Sequence, residues 1–262
     1  MFKDKKILIT GGTGSFGNAV LDRFLNTDIA EIHIFSRDEM KQDLMRLKYN
    51  NQKIKFIIGD VRDFMSIESA MSGIDYVFQA AALKQVPSCE FFPIEAVKTN
   101  IIGTASLLEN IRTLKEEDGY DPVVHICSSS EVYGKAKPGE KINEKTQFHG
   151  ASPYSISKIG TDYLSQFYGE AYEIKTFSTR MGTHSGPRRS DVFFESTVAK
   201  QIALIEVGLQ KPVIKVGNLS STRTFQDVRD AVKAYHLLSV ESEKGNIECG
   251  DFFNIAGEDV YQ

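Results

Sequence analysis

The feature that most constrains this fold is a glycine-rich turn near the N-terminus. The apolar run Lys6-Ile7-Leu8-Ile9-Thr10 predicts a β-strand, which leads directly into Gly11-Gly12-Thr13-Gly14-Ser15-Phe16-Gly17 and then into a predicted helix at residues 18–25. The three spaced glycines suit a tight turn, a close approach to a pyrophosphate and close packing of helix on strand. The free N–H groups of the helix N-terminus attract that anion. We therefore predict a dinucleotide-binding unit with contacts from Gly11, Thr13, Gly14, Ser15, Phe16 and Gly17.

Short apolar runs alternate with longer amphipathic stretches along the rest of the chain. Strands are predicted at residues 31–35, 54–58, 75–79, 123–127 and 174–178, and helices at about 39–49, 94–112 and 152–172. This alternation is typical of a parallel sheet covered by helices. We predict an α/β fold, with a Rossmann-like doubly wound parallel sheet over residues 1–180 and a smaller C-terminal substrate-binding lobe over residues 181–262. In the lobe, helices are predicted at about 193–206 and 228–240, and strands at 212–216 and 251–255.

The composition excludes several classes of protein. The 262 residues carry 31 Lys and Arg against 35 Asp and Glu, so no basic excess favours nucleic acid or an anionic membrane. The longest apolar runs are far shorter than a membrane span requires. The three cysteines lie far apart, and the five histidines have no metal-ligand spacing. We expect a cytoplasmic protein without a secretory signal, a disulfide framework or a metal site.

The end of the second predicted strand bears on the choice of cofactor. An acid about 20 residues after the glycine-rich turn usually binds the ribose of NAD. This chain has Ser36-Arg37-Asp38 at that place. Ser36 leaves room for a 2′-phosphate and Arg37 is suited to pair with it, which favours NADP over NAD. The alternative is that Arg37 is solvated and Asp38 binds the ribose. The next two strand ends are expected to contact the cofactor through Asp60, Val61, Ala80, Ala81 and Ala82.

A tyrosine and a lysine are the candidate catalytic pair. The pattern Tyr-x-x-x-Lys occurs three times, which is close to chance for this composition, so its context must decide. Ser152-Pro153 is a typical helix start, which places Tyr154 in the first turn and Lys158 one turn later on the same face. The lysine charge is expected to lower the pKa of the tyrosine toward neutrality. Upstream, a strand ends in Ser128-Ser129-Ser130-Glu131, where a hydroxyl can share the substrate proton with Tyr154.

On these motifs the chain resembles the extended short-chain dehydrogenase/reductase family, in particular its enzymes that act on nucleotide sugars. Residues 1–112 are similar to the capsule-type UDP-N-acetylglucosamine 4,6-dehydratases through the glycine-rich turn and residues 35–39, 81–87 and 100–104. From about residue 123 the chain is more similar to GDP-mannose 4,6-dehydratase and GDP-4-keto-6-deoxymannose reductase. Residues 129–134, 152–154, 186–189, 216–219 and 223–230 carry that similarity. Unlike the capsule-type enzymes, the chain has Ser-Ser-Glu rather than Thr-Asp-Lys after the fifth strand.

The resemblance implies a nucleotide-sugar 4,6-dehydratase of surface polysaccharide synthesis. In that reaction Tyr154, tuned by Lys158, takes the C4 hydroxyl proton while hydride passes to the cofactor, and Ser129 orients the hydroxyl. Glu131 then removes the C5 proton, and water leaves from C6 with help from Ser130 or a bound water. The hydride finally returns to C6. A 4-keto-6-deoxysugar reductase and a 4-epimerase are alternatives on the same fold, and a non-catalytic nucleotide-sensing protein is a third.

Basic side chains outside the cofactor site are the candidate contacts of a substrate diphosphate. They are Lys84, His184, Arg188, Arg189 and Arg223. Solvated charges or salt bridges between the two regions are the alternative interpretation. The resemblance further places Asn100, Tyr154 and Lys158 in the cofactor-binding set, and Asn100 is expected to brace the active-site strand. It also implies a homodimer through the helices at about 94–112 and 152–172. Because the family continues past Gln262, the C-terminal lobe is expected to be short.

Overall fold

Strands and connecting helices alternate from the first residues of the chain. The structure is a computed structural model and describes residues 2–136, 139–257 and 259–261. The first half contains β1 (Lys6–Thr10), α1 (Ser15–Leu25), β2 (Glu31–Ser36), α2 (Glu39–Tyr49), β3 (Ile54–Ile58), α3 (Phe64–Met71), β4 (Tyr76–Gln79), α4 (Val86–Phe91), α5 (Pro93–Ala96), a π-helical turn (Val97–Ile102), α6 (Gly103–Asp118) and β5 (Val123–Cys127). The second half contains a 3₁₀ turn (Ser130–Tyr133), α7 (Pro153–Tyr172), β6 (Thr176–Met181), β7 (His184–Ser185), α8 (Phe194–Glu206), β8 (Arg223–Thr224), β9 (Gln226–Asp227), α9 (Val228–Glu243), β10 (Asp251–Ile255) and β11 (Val260–Tyr261).

The central sheet has seven strands in the order β3-β2-β1-β4-β5-β6-β10. Every neighbouring pair runs parallel. Helices cover both faces, so the strands are buried on both sides and read as continuous apolar runs. Residues such as Ile7 and Ile9 belong to a core with α1 and α9 on one face, and Leu8 belongs to a core with α3 and α6 on the other. The predicted parallel α/β fold is confirmed.

Two elements from beyond residue 180 complete this sheet. Strand β10 pairs with β6 in the register Asp251 to Phe177, and α9 packs against α1 and β5. The remaining elements of this part lie outside the seven-stranded sheet. They are the helix α8 and two small two-stranded sheets, β7 with β9 and β8 with β11. The division into a dinucleotide-binding region and a substrate lobe stays a prediction about function, since the sheet draws on both.

The strand predicted at residues 212–216 is wrong. That segment is irregular, and its Lys215 backbone pairs with an amide side chain rather than with another strand. The Lys215 N–H donates to Gln201 Oε1 at 2.8 Å, and Gln201 Nε2 donates to the Lys215 carbonyl at 2.9 Å. Because a strand is defined by its partner strand, an apolar run held this way cannot become one.

The helix predicted at about 94–112 consists of two α-helices, α5 and α6, joined by the π-helical turn. The turn adds a residue to the helical register, which lets Asn100 face inward. Gly103, the first residue after the turn, lies so close to Val61 that a Cβ atom there would be 2.7 Å from Val61 Cγ2. Helices α3 and α4 were not predicted, because each is only six to eight residues long. No helix among the described residues is long and apolar enough to cross a bilayer.

Candidate active site

The glycine-rich turn connects β1 to α1 at the carboxyl end of the sheet. Gly11 has a φ of +63°, and a Cβ there would lie 2.9 Å from the Ala81 backbone, so only glycine fits. At Gly17 a Cβ would lie 2.4 Å from the Gly12 backbone, which is the close approach of helix to strand that the sequence predicts. Gly14 caps α1 without a side-chain hydrogen bond, and the first turn of α1 has no acid. The free N–H groups of α1 therefore face outward, as a pyrophosphate requires.

A cavity of about 490 Å³ lies over this turn and fits a dinucleotide in shape and lining. Most of the predicted cofactor residues line it: Gly11, Thr13, Gly14, Phe16, Gly17, Ser36, Arg37, Val61, Ala80, Ala81 and Ala82. Asp38, the alternative ribose ligand, lines it as well. Sequence reasoning missed five others, which are Phe35, Lys41, Gly59, Lys84 and Thr99, of which Lys84 was assigned to the substrate. Gly59 directly follows β3 and Thr99 lies in the π-helical turn, and the path of the backbone at these two places brings both residues to the cavity wall.

Five predicted cofactor residues lie outside the lining of this cavity: Tyr154 and Lys158, which line the adjoining catalytic cavity, and Ser15, Asp60 and Asn100. The Ser15 hydroxyl donates to the Pro187 carbonyl at 2.9 Å and so links the glycine-rich turn to the segment after β7. Asp60 accepts hydrogen bonds from Arg62. Burial raises the pKa of Asp60, but the hydrogen bonds and charge of Arg62, together with the charge of Arg37, outweigh it and lower the pKa overall. Asn100 is fully buried. It does not line the cavity, and its role as a brace of the active-site strand stays a prediction.

Asn100 joins two segments of the site. Its Oδ1 accepts from the Leu83 N–H at 2.8 Å, and its Nδ2 donates to the Leu83 carbonyl at 3.0 Å and to Ser157 Oγ at 2.8 Å. Leu83 precedes Lys84, and Ser157 precedes Lys158. The amide therefore fixes the loop after β4 relative to α7.

The end of β2 presents positive charge to the cavity. Asp38 caps α2, accepts from the Lys41 N–H at 2.9 Å and pairs with Lys41 Nζ at 2.6 Å, which lower its pKa. Arg37 has a looser ion pair, 3.6 Å from Asp60, and is more than half exposed. Arg37, Asp38 and Lys41 all line the cavity, and the Asp38 carboxylate and the Lys41 ammonium are paired with each other.

The start of α7 is built as the sequence predicts. Ser152 and Ser155 form a capping box with Pro153 in the first turn, so Tyr154 and Lys158 lie on one face of the helix. Lys158 Nζ donates to the Cys127 carbonyl at 2.6 Å, which ties α7 to the end of β5. Burial lowers the pKa of Lys158.

The expected lowering of the tyrosine pKa is wrong for this structure. Burial raises the pKa of Tyr154 to about 12, although a hydrogen bond from Ser129 acts in the opposite direction. The Lys158 ammonium is held by a backbone carbonyl instead of the tyrosine hydroxyl, so its charge does not reach the phenol effectively.

Ser129, Ser130 and Glu131 begin the turn that follows β5. Ser129 caps this 3₁₀ turn by accepting from the Glu131 N–H at 3.2 Å. All three residues line a second cavity of about 230 Å³ together with Tyr154 and Lys158. This cavity shares Phe16, Ala80, Ala82 and Lys84 with the dinucleotide cavity, so the two form one continuous cleft. The predicted catalytic residues are thereby brought together at its inner end.

A buried ion pair supports the turn and α7 at once. Arg180 on β6 donates from Nε and Nη2 to the Asp162 carboxylate on α7, at 3.1 and 2.8 Å. Its Nη1 donates to Tyr133 Oη, at the end of the 3₁₀ turn, and to the Glu144 carbonyl, both at 3.0 Å. Only 3% of the Arg180 side chain and none of Asp162 is exposed. Sequence reasoning missed this pair, for which no local pattern exists.

The predicted basic set is divided by the fold. Lys84, His184 and Arg189 line the catalytic cavity. Desolvation by the cleft walls, and then the Arg189 charge, lower the pKa of Lys84. Burial lowers the pKa of His184 to about 4, so its imidazole is neutral at physiological pH. Arg188 has a φ of +69° and turns outward to pair with Asp22 of α1 at 3.5 Å, so the prediction that it joins the others is wrong.

Arg223 lines a third cavity, of about 590 Å³, between α8 and the irregular segment before β8. Its other walls were not predicted as a site, because they combine the start of α8 with an irregular segment that is distant from it in sequence. They include Val192, Phe194, Lys215, Val216, Asn218, Leu219 and Phe225. An arginine and a lysine among apolar and aromatic side chains suit a flat ring that carries phosphates. Among the described residues, no group of three His, Cys, Asp or Glu side chains is arranged to hold a metal.

Comparisons with known proteins agree with this geometry. The family described as GDP-mannose 4,6 dehydratase matches residues 8–259. UDP-glucose 4-epimerase of Rickettsia prowazekii (strain Madrid E) is 63% identical over 137 residues, which are 51% of this chain and 39% of that protein. The chain spans well under half the length of the curated relatives it matches.

Solved structures share the fold over nearly the whole chain. A dTDP-glucose 4,6-dehydratase from Bacillus anthracis in complex with NAD has a TM-score of 0.81 at 22% identity, covering 98% of this chain and 77% of that one. RMD from Pseudomonas aeruginosa complexed with NADPH has a TM-score of 0.78 at 22% identity, with the same coverage. At these identities the likeness shows the fold alone.

Proposed function

Because the chain belongs to the GDP-mannose 4,6-dehydratase family, we propose that it is an NADP-dependent nucleotide-sugar 4,6-dehydratase. The observation that carries the proposal is one cleft in which Glu131 lies with Ser129, Tyr154 and Lys158, directly beyond the dinucleotide cavity. A carboxylate beside a tyrosine gives two separate proton acceptors, which oxidation at C4 and elimination across C5 and C6 require.

The residues around the adenosine end support NADP. Asp38, the candidate acid for a ribose, is engaged as the cap of α2 and as the partner of Lys41. Arg37 and Lys41 are the cations that line this end of the cavity. Because Asp38 also lines this end and balances the Lys41 charge, the Arg37 cation beside the small Ser36 is the feature that suits a 2′-phosphate better than a free hydroxyl.

The dinucleotide would supply the acceptor and donor of hydride at the inner end of the cleft. Tyr154 would take the proton of the C4 hydroxyl, which requires that its pKa, raised by burial to about 12, falls when the cofactor binds; the Ser129 hydroxyl, which hydrogen-bonds to Tyr154, stabilises its deprotonated form. Glu131 then removes the proton at C5, which the new ketone makes acidic. The C5–H electron pair forms the C5–C6 double bond, the C6–O bond breaks, and the departing hydroxide takes a proton through Ser130 or a bound water and leaves as water. Hydride would then return to C6 while Glu131 returns its proton to C5, which completes the 4-keto-6-deoxysugar without net oxidation.

The diphosphate and base of the substrate would extend from the catalytic cavity into the third cavity. Lys84 and Arg189 face the catalytic cavity, and Arg223 and Lys215 face the third cavity. Cations in both cavities suit a diphosphate that links the sugar at the inner end to a base at the outer end. Arg188 has no part in this scheme.

A 4-epimerase is the second candidate, favoured by the name of the Rickettsia relative. An epimerase needs the C4 proton acceptor but no base at C5. A 4-keto-6-deoxysugar reductase likewise needs no base at C5, and it must exchange its cofactor at each turnover. The role of Glu131 therefore separates the dehydratase from both alternatives.

The test is incubation of the purified protein with UDP-N-acetylglucosamine, GDP-mannose and UDP-glucose, separately, with only its co-purified cofactor. A dehydratase gives a product lighter by one water in the mass spectrum, and Glu131→Gln abolishes that product. Glu140→Gln, in the segment after the catalytic turn, is the matched control and should retain it. A product of unchanged mass but inverted C4, insensitive to Glu131→Gln, would establish the epimerase instead.

The outer face of α7 supports a second copy of the chain as partner. Ile156, Tyr163 and Phe167 are each more than half exposed and follow one another at helical spacing, with Ile102 of the neighbouring π turn beside them in the fold. Large apolar side chains grouped this way are typical of a surface that is covered. Sedimentation velocity of the wild type should give a dimer, and Tyr163→Glu with Phe167→Glu should give a monomer.

A further inference from the structure

Tyr235 is a buried tyrosine of the catalytic cavity to which the proposed reaction gives no role. It belongs to α9, on the opposite face of the sheet from α7, and only 1% of it is exposed. Even so, it lines the cavity that contains Ser129, Glu131 and Tyr154. A phenol placed in a cleft among catalytic groups is either packing or a hydrogen-bond donor, and its surroundings decide between the two.

The ring of Tyr235 is fixed on two sides. Its centroid lies 5.4 Å from that of Phe16 in an edge-on contact and 4.4 Å from that of His125. Phe16 comes from the glycine-rich turn and lines both the dinucleotide cavity and the catalytic cavity. Tyr235 therefore lies where the inner end of a dinucleotide would arrive.

The hydroxyl of Tyr235 ends a short chain of polar groups inside an apolar core. Thr179 hydrogen-bonds to it, and Thr179 Oγ1 lies 2.8 Å from His125 Nε2. Thr179 and His125 are both fully buried. His125 also stacks on Phe177 at 5.0 Å, so its ring cannot turn freely.

The direction of this chain follows from the histidine. Burial lowers the pKa of His125 to about 3, so the imidazole is neutral and carries one N–H. Its Nδ1 has no hydrogen-bond partner. A buried N–H without a hydrogen-bond partner costs more free energy than a buried nitrogen lone pair without one. The proton is therefore assigned to Nε2, and Nδ1 carries the lone pair. His125 then donates to Thr179, and Thr179 donates to Tyr235.

This order leaves the Tyr235 O–H as the donor at the cleft. Burial raises the pKa of Tyr235 well above its ordinary value, so the hydroxyl keeps its proton. We propose that the Tyr235 hydroxyl, oriented by Thr179 and His125, donates a hydrogen bond to the carboxamide oxygen at the nicotinamide end of the bound dinucleotide. The inference rests on the proposed function, because it requires a nicotinamide cofactor. Its consequence is that the reacting ring is held from the face of the sheet opposite to Tyr154.

The test compares binding of NADPH with binding of 2′-phospho-ADP-ribose, which lacks the nicotinamide. Tyr235→Phe keeps the ring and removes the hydroxyl, and Thr179→Val removes the group that orients it. Tyr120→Phe is the control, since it removes a hydroxyl that donates to the Met71 carbonyl, beside the other end of the sheet. Affinities are measured by calorimetry, and circular dichroism verifies that each variant is folded.

Tyr235→Phe is expected to weaken NADPH binding about fivefold to tenfold and to leave 2′-phospho-ADP-ribose binding unchanged. Thr179→Val should weaken NADPH alone by a smaller factor, and Tyr120→Phe should weaken neither ligand. Equal loss of both ligands, or no loss of either, in Tyr235→Phe overturns the inference. If that variant does not fold, Thr179→Val decides by the same two ligands. A wild type that binds neither NADPH nor NADH would instead refute the proposed function itself.

Discussion

Replacing Arg180 with methionine should strongly destabilise the protein. The side chain is 3% exposed and its partner Asp162 is fully buried, so the substitution leaves a carboxylate in the interior without its cation. It also removes the donor to Tyr133 Oη and to the Glu144 carbonyl. Breaking one partner of such a buried pair costs about 3–5 kcal/mol. For a chain of this size, that loss lowers the midpoint of thermal unfolding by about 6–20 °C.

The assay is urea unfolding followed by far-UV circular dichroism, with thermal unfolding as a second measurement. The matched control is Arg112→Met, because Arg112 also pairs with two carboxylates, Glu109 and Glu116, but on the surface. That variant should lose far less stability than Arg180→Met, because solvent screens an exposed ion pair. The double variant Arg180→Met with Asp162→Leu should regain part of the loss, since it replaces the lone buried charge by apolar contact.

Two results would refute this reasoning. If Arg180→Met and Arg112→Met cost the same, burial does not set the strength of the pair. If the double variant is less stable than Arg180→Met alone, the loss comes from packing around Arg180, such as its contact with the Phe252 ring at 3.9 Å, and not from the uncompensated carboxylate.

Three further predictions follow from the cofactor site and the buried histidines. Arg37→Ala should weaken NADPH binding about tenfold to hundredfold and leave NADH binding unchanged, as calorimetry would show; equal effects on both would contradict the assignment of the 2′-phosphate site. Gly17→Ala should lower the thermal midpoint and weaken NADPH, because its Cβ would lie 2.4 Å from the Gly12 backbone; Gly217→Ala, with open space around it, is the control for stability. The pKa of His184 is lowered to about 4, so the unfolded chain binds the extra proton below about pH 6.5, and unfolding free energy is lost as pH falls from there toward 4. Measured by urea unfolding, the free energy of unfolding of His184→Gln should fall by about 3 kcal/mol less than that of the wild type over this pH range. If the two proteins have the same pH profile of unfolding free energy, the assignment of the lowered pKa to His184 is wrong.

The site was predictable from sequence where it is local. The glycine-rich turn and the Ser152-Pro153 start of α7 each determine backbone geometry within a few residues, so the positions of Gly11, Gly17 and Lys158 followed from their neighbours. The match over residues 8–259 likewise confirms the resemblance to nucleotide-sugar enzymes. These signals depend on chain direction and capping, which sequence records directly.

The parts that failed depend on tertiary contacts. Arg188 points away from Arg189 because a positive φ reverses the chain and Asp22 is within reach. Burial raises the pKa of Tyr154, and Lys158, whose ammonium donates to the Cys127 carbonyl, does not offset it. Neither a backbone reversal nor a competing carbonyl has a signature in the residues nearby.

The pairing of β10 with β6 has a consequence for how this chain is made. During synthesis, β6 is complete about seventy residues before Asp251, the first residue of β10. Until β10 pairs with it, one edge of β6 is open. For most of that interval α9, which ends at Glu243, is also missing from the face that holds His125 and Phe177. Open edges and bare apolar faces are where chains aggregate or exchange strands with one another. Pairing of β10 therefore closes this edge late, and substitutions along β10 should reduce the yield of soluble protein before they alter any chemistry in the cleft.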